Sequence, residues 1–286
     1  MSSKTLVVAF DGMDKELVDQ FDLKHIVQEE YGSIDNQTGM TETFTSELFA
    51  SFLTGQNHEY HGVTSLTTRE NDFIDSFEKR VKGNRFFDKF SGIREALYKE
   101  LSFVDAEPRK YRKEDWEGDT IFEELDNSRP MFVPSYNPSI FWVIGGDFRA
   151  VKQGYSIDEH IEFYEEREFN YRKEKLLHEL ESDIIPARSF LMCHFHRPDM
   201  DHHFYGEKEI SFDEDRLEEL YQMLDRFAKE IKEKALDKGY DTVIFMSDHG
   251  LPSKTSHNEN AFYSSNKEIF PDKTPKITDF YEVLKR

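Results

Sequence analysis

The chain has 286 residues, 37% hydrophobic and 14% aromatic with 26 Phe, enough for one large domain with a Phe-rich core. Its 58 acidic residues outweigh 37 basic ones, a net charge of −21, which argues against the basic surface that nucleic acid needs and against an anionic membrane surface. The one cysteine, Cys193, excludes an intrachain disulfide; with no signal-peptide pattern and no apolar run near the ~18 residues of a membrane span, a soluble, cytoplasmic protein is expected.

Residues 6–10, Leu-Val-Val-Ala-Phe, form an unbroken apolar run of the kind a central parallel strand carries, and the run ends at Asp11-Gly12. A short helix is predicted over 15–21. A second is predicted over 46–53, with Thr45 at or near its N-cap and Thr54-Gly55 at its end. Residues 64–128 break the pattern with dense charge and scattered aromatics, which predicts an insertion or cap within a single domain spanning 1–286. Residues 131–134 predict a short strand. Ser156-Ile-Asp-Glu159 and Ser211-Phe-Asp-Glu214 match the capping box. The first opens a helix to Ser182. In the second, Leu217, Leu220, Leu224, Phe227, Ile231 and Ala235 recur at helical spacing up to Lys238-Gly239. Residues 190–195 and 242–246 are again strand-like apolar runs, and 277–285 predicts a terminal helix. Apolar strands alternating with amphipathic helices give an α/β fold, a mainly parallel central sheet flanked by helices.

Chemistry gathers where the strands end. Asp11 follows the first run, Pro198-Asp199-Met-Asp-His-His203 follows 190–195, and Ser247-Asp248-His249-Gly250 follows 242–246. That edge of a parallel sheet is where sites are built. An Asp after a strand is ordinarily a helix cap, but capping does not explain the imidazoles beside it. Asp11, Asp199, His203, Asp248, His249 and His257 together offer the oxygen and nitrogen donors of a borderline divalent ion, zinc with manganese as the competitor. Six donors exceed one tetrahedral site and suit two, the device that clamps attacking and leaving oxygens in phosphoryl transfer. The hydroxyl-rich stretch 41–55 supplies a nucleophile. Thr45 at a helix N-terminus is the first choice, because a helix dipole and a cation both favour an alkoxide; Thr43 is the alternative if Thr45 only caps the helix.

In their order, these motifs resemble the alkaline phosphatase superfamily, most of all its type I phosphodiesterase/nucleotide pyrophosphatase branch. The resemblance rests on Asp11-Gly12, Thr45 nine residues before Thr54-Gly55, His61-Gly62, Pro198-Asp199-Met-Asp-His-His203-Phe-Tyr-Gly206, Ser247-Asp248-His249-Gly250 and His257. It covers roughly 4–63 and 130–263. It implies an alkaline-phosphatase-like fold and two divalent ions, one held by Asp11, Asp248, His249 and Thr45, the other by Asp199, His203 and His257. It also implies catalysis through a covalent phospho-threonine on Thr45. Sulfatases of the superfamily use Cys or Ser there and classical phosphatases use Ser, whereas Thr is typical of the phosphodiesterase branch and of phosphonoacetate hydrolases. Two positions depart from the pattern. Glu47 stands where the family often has Pro, and His202 where it has Gly, which makes His202 and Asp201 competing ligand candidates. His194 and His196 are read as core or outer-shell groups, and His61 as a residue that holds a chain turn.

The expected activity is hydrolysis of a small-molecule phosphodiester or nucleotide pyrophosphate. A phosphomonoesterase, phosphonate hydrolase or phosphomutase on the same metal core is the alternative. A non-catalytic metal-binding protein is the rival of another class; the intact ligand set argues against it.

Overall fold

Three fully buried strands carry the molecule: β1 (Thr5–Phe10) at the centre, with β6 (Phe190–Phe195) and β7 (Thr242–Met246) parallel to it on either side. The computed structural model describes residues 3–64, 67–68, 109–137, 156, 161, 166–206, 212–252, 257–271 and 274–286. In chain order the further elements are α1 (Lys15–Gln20), β2 (Glu30–Ser33), α2 (Thr45–Thr54), α3 (His58–His61), β3 (Thr67–Thr68), β4 (Arg109–Lys110), α4 (Ile121–Glu124) and β5 (Ser128–Met131). Then come α5 (Glu166–Glu181), β6, α6 (Glu214–Lys238), β7, β8 (Phe262–Ser265) and α7 (Phe280–Leu284).

The six-stranded sheet has the order β2-β8-β7-β1-β6-β5, with β7-β1-β6-β5 parallel and the β8 and β2 edge antiparallel. Side chains alternate along each central strand, so both faces are apolar. Leu6, Val8, Phe10, Leu191, Cys193, Phe195, Val243 and Phe245 pack under α1, α5 and α6. Val7, Ala9, Phe190, Met192, Ile244 and Met246 pack under α2 and α7. A parallel strand covered on both faces is why the runs read as continuously apolar. Cys193 belongs to the first face, and burial pushes its thiol up to about 12. β6 and β7, consecutive strands of the chain, flank β1 on opposite sides, so the carboxyl ends of all three open on one crevice, the edge where sites are built in this architecture.

Several boundaries shift from the sequence reading. The strand predicted over 131–134 lies at Ser128–Met131, because Phe132 takes a left-handed conformation (φ 61°) that ends the ladder. The N-cap of α6 is Asp213, whose carboxylate accepts the Arg216 N–H at 3.2 Å, two residues beyond the expected Ser211. The terminal helix starts as a 3-10 turn, Ile277–Asp279. Of the stretch 64–128, only 64, 67–68 and 109–128 are described; there β3 and β4 pair as a two-stranded antiparallel ladder. The rest of the predicted insertion and most of the first capping box lie outside the described residues. No helix among the described residues is long and apolar enough to cross a membrane.

Candidate functional site

The backbone fixes the first carboxylate. Asp11 N–H donates to Phe195 O at 2.8 Å, one step beyond the β1–β6 ladder. The chain then turns through Gly12 (φ 67°), whose N–H donates to Asp248 Oδ1 at 3.3 Å. A Cβ at Gly12 would stand 2.9 Å from Asp199 Oδ1 and 3.1 Å from His249 Cε1. Only glycine lets β1 turn this close to both. Gly12→Ala is therefore expected to cost about 1–3 kcal/mol, from the left-handed backbone and the displaced side chains. An unchanged midpoint in chemical denaturation would refute this.

The six predicted donors meet at this edge. His249 Nε2 lies 3.3 Å from Asp11 Oδ1 and 3.5 Å from Asp248 Oδ2. Thr45 Oγ1 is 3.1 Å from the same nitrogen and 3.3 Å from Asp11 Oδ1. On the other side, Asp199 Oδ1 is 3.5 Å from His257 Nε2, Asp199 Oδ2 is 3.7 Å from His203 Nε2, and the two imidazole nitrogens are 3.4 Å apart. The rings of His249 and His257 stack with centroids 3.9 Å apart, which joins the two groups into one centre.

This donor set fits divalent cations. Donor atoms of Asp11, Asp248 and His249 lie within 4.8 Å of one another, as do those of Asp199, His249 and His257. Asp248 Oδ2 and Asp199 Oδ1 are buried with no hydrogen-bond donor. His249 Nδ1 is 3.0 Å from Gly250 O, so Nδ1–H donates there and Nε2 is the atom aimed at the oxygens, the one a bound cation would take. Without a cation the three carboxylates strain one another. Burial, with Asp11 and Asp199 nearby, pushes Asp248 up to about 7. Burial alone would lower His249, but Asp248, Asp11 and Asp199 raise it to about 10. Burial opposes the ionised form of Asp11 too, yet His194 and His249 hold that carboxyl well below the usual range. A buried site that draws protons this strongly is a site for positive charge.

The two departures from the motif prove to be structural. Glu47 is fully buried and reaches back from the first turn of α2; its carboxylate accepts Thr41 N–H at 2.7 Å, accepts the Thr41 hydroxyl, and faces His58 Nδ1 at 3.5 Å. It ties down the strap 41–44 that leads into Thr45. Thr43 closes the strap from the other end, its hydroxyl donating to His257 O at 2.9 Å. Thr45 is the first helical residue, and the N-cap is Phe44, which caps with no side-chain bond. The Thr45 hydroxyl is thus turned to Asp11 and His249 instead of capping.

His202 and Asp201 do not join the donors. Asp199 and His203 are four residues apart on a helical turn and share a face; His202, one residue earlier, points the other way, with Nε2 2.9 Å from Tyr221 Oη. Asp201 accepts both Nε and Nη2 of Arg197, at 2.9 and 2.6 Å. His61 holds a turn as expected. Val63 N–H donates to Nδ1 at 3.1 Å, so Nε2–H faces Ser51 Oγ at 3.0 Å, and burial lowers the imidazole to about 4. Sequence reasoning missed Asp14. Its carboxylate caps α1 and accepts Leu251 N–H at 3.0 Å and Asn258 Nδ2–H at 2.8 Å, fixing both flanks of the segment that brings in His257. An Asp three residues after another gives no sign of that reach.

Comparison with known proteins gives the family and the fold. A family model described as type I phosphodiesterase/nucleotide pyrophosphatase matches residues 5–274. Among solved structures, murine ectonucleotide pyrophosphatase/phosphodiesterase 5 superposes with a TM-score of 0.50 at 15% identity, over 86% of this chain and 57% of that one. An inactive variant of the same murine protein in complex with AMP gives a TM-score of 0.50 at 14% identity, over 87% and 57%. The chain thus spans 57% of the length of these neighbours, and the likeness is one of fold. No curated protein matches the chain.

Proposed function

Because the chain belongs to the type I phosphodiesterase/nucleotide pyrophosphatase family, we propose that it hydrolyses a phosphodiester or nucleotide pyrophosphate of a small molecule through a covalent phospho-threonine on Thr45. The observation that carries the reading is the Thr45 hydroxyl, 3.1 Å from His249 Nε2 and 3.3 Å from Asp11 Oδ1 at the edge of a buried Asp/His cluster. Two divalent ions, zinc or manganese, would be held by Asp11, Asp248 and His249 with Thr45, and by Asp199, His203 and His257; bound there they would supply positive charge to the phosphoryl oxygens and to the attacking and leaving oxygens.

In this mechanism Thr45 Oγ1 attacks phosphorus in line. The Thr45 O–P bond forms as the bond to the leaving alcohol or phosphate breaks. Positive charge held beside Thr45 would favour the alkoxide, so the hydroxyl proton is released to solvent as Oγ1 attacks. Water then attacks the phospho-threonine, the Thr45 O–P bond breaks, and the hydroxyl is regenerated. A monoester has a third charged oxygen that needs donors. Arg197, the nearest cation in the matched motifs, is engaged by Asp201, which supports the diester over the phosphomonoesterase alternative. Lys254, a second such cation, lies outside the described residues.

Two measurements test the reading. Elemental analysis of protein purified without chelator should find about two divalent ions per chain; one or none under metal-replete conditions sinks the two-ion centre. An aryl phosphodiester or nucleotide pyrophosphate should have a higher kcat/KM than the matching monoester. A tenfold preference for the monoester, about 1.4 kcal/mol, would transfer the assignment to the phosphatase alternative.

A further inference from the structure

One more imidazole stands at the centre beside the six predicted donors. His196 directly follows β6, and a ring nitrogen of it forms, with one oxygen each from Asp11 and Asp199, a group whose atoms all lie within 4.8 Å of one another. Donors bound to one divalent ion at about 2.0–2.2 Å stand roughly 3–4 Å apart, so the group is near the size of a coordination shell. Asp199 Oδ1 is buried here with no hydrogen-bond donor.

The orientation of His196 is set from α5. Glu168 and Arg172, one turn apart, form a buried ion pair. Arg172 Nη1 donates to His194 Nδ1 at 2.9 Å and to His194 O at 2.7 Å. A guanidinium only donates, so His194 Nδ1 is bare and its Nε2 carries the hydrogen, 3.2 Å from Asp11 Oδ2. Glu168 Oε2 lies 3.3 Å from His196 Nδ1. Paired with the Arg172 guanidinium, the Glu168 carboxylate accepts. His196 Nδ1 therefore carries the hydrogen, and Nε2 carries a lone pair. One ion pair sets two histidines of the same strand end in opposite tautomers. His194 becomes a donor toward Asp11, and His196 becomes a Lewis base backed by a carboxylate, the arrangement that raises the basicity of a metal-bound imidazole.

We propose that His196, oriented by Glu168, is a direct ligand of a divalent cation held together with Asp11 and Asp199. The proposal rests on the metal-centre reading above and adds a further protein donor to it. Asp11 comes from one predicted set and Asp199 from the other, so His196 ties the two halves of the centre together.

The test uses the full chain stripped of metal and titrated with Co(II), read by visible absorption, by competition with a chromophoric chelator and by elemental analysis. His196→Ala is expected to weaken at least one bound ion tenfold or more and to alter the cobalt spectrum. Glu168→Gln should weaken the same ion in the same direction, within the 10–100-fold typical of groups that orient a ligand. If His196→Ala fails to fold, His196→Phe keeps the ring volume without the donor and gives the same readout. A variant that titrates like wild type in affinity, count and spectrum overturns the proposal. So does one that raises KM alone with cobalt binding unchanged, which would assign His196 to substrate. Failure of the metal-centre reading shows separately, as a wild-type chain that takes up no cobalt.

Discussion

Thr45→Ala should abolish turnover while leaving the fold and ion binding in place. In a covalent route the hydroxyl forms the bond to phosphorus, and no neighbour can replace it. The loss expected for removing a nucleophile is about 10³-fold or more in kcat, about 4 kcal/mol of transition-state stabilisation. The fold should survive, because α2 is capped without the Thr45 side chain and its interior residues are buried under the sheet. Ion binding should survive because Asp11, Asp248 and His249 remain. Thr43→Ala is the control. It removes the 2.9 Å bond to His257 O and loosens the strap, so a decrease of less than about tenfold is expected, the scale of one hydrogen bond. Rapid-quench mass spectrometry of wild type should find phosphate on the peptide carrying Thr45. If Thr43→Ala is the dead variant and Thr45→Ala turns over, the nucleophile has been placed two residues too far along the chain.

The centre was legible in the sequence because a parallel sheet writes its site plainly. Each central strand is a short apolar run, and whatever follows it lies at the carboxyl edge. The three strand ends alone place Asp11, Asp199 and Asp248 in one crevice. Spacing added His203, because four residues is one helical turn from Asp199. The antiparallel edge was not legible. β2 reads Glu-Tyr-Gly-Ser and β8 reads Phe-Tyr-Ser-Ser, neither an apolar run nor a clean alternation, and the two pair with each other across most of the chain, Glu30 opposite Ser265. The supporting polar groups were hidden for a related reason. Glu47, Glu168 and Arg172 sit in helices where charge ordinarily signals a solvated face. Their burial follows from long-range packing against strand ends, which no local pattern records. Glu47 also shows why a departure from a motif need not be a defect, since its buried carboxylate, tied to Thr41, restrains the strap that leads into Thr45.

Removing the divalent ions should eliminate activity and destabilise the protein, and the destabilisation should grow with pH. Asp11, Asp199 and Asp248 are buried together, and in the metal-free chain only protons can offset their charge. Asp248 is raised to about 7, against about 3.9 for an exposed carboxyl, and His249 to about 10, against about 6.5 for an exposed imidazole. Both bind protons more tightly folded than unfolded. By linkage, their contribution to stability is present at low pH and is lost as pH rises through the folded values. His61, His194, His202 and His257, all lowered to about 4 first by burial, act in the opposite sense, but only between about 4 and 6.5. Lys110, lowered by burial, opposes the trend only toward its own titration at high pH. Between pH 7 and 9 the centre therefore dominates, and the melting temperature of chelator-treated protein should fall. With ions bound, the carboxylates and the His249 Nε2 lone pair face a cation instead of a proton, and that part of the pH dependence should vanish. Thermal melts at pH 7 and pH 9, with and without chelator, check this. The gap between the two curves should be wider at pH 9, and equal melting temperatures at both values would mean that the buried carboxylates are not held by metal.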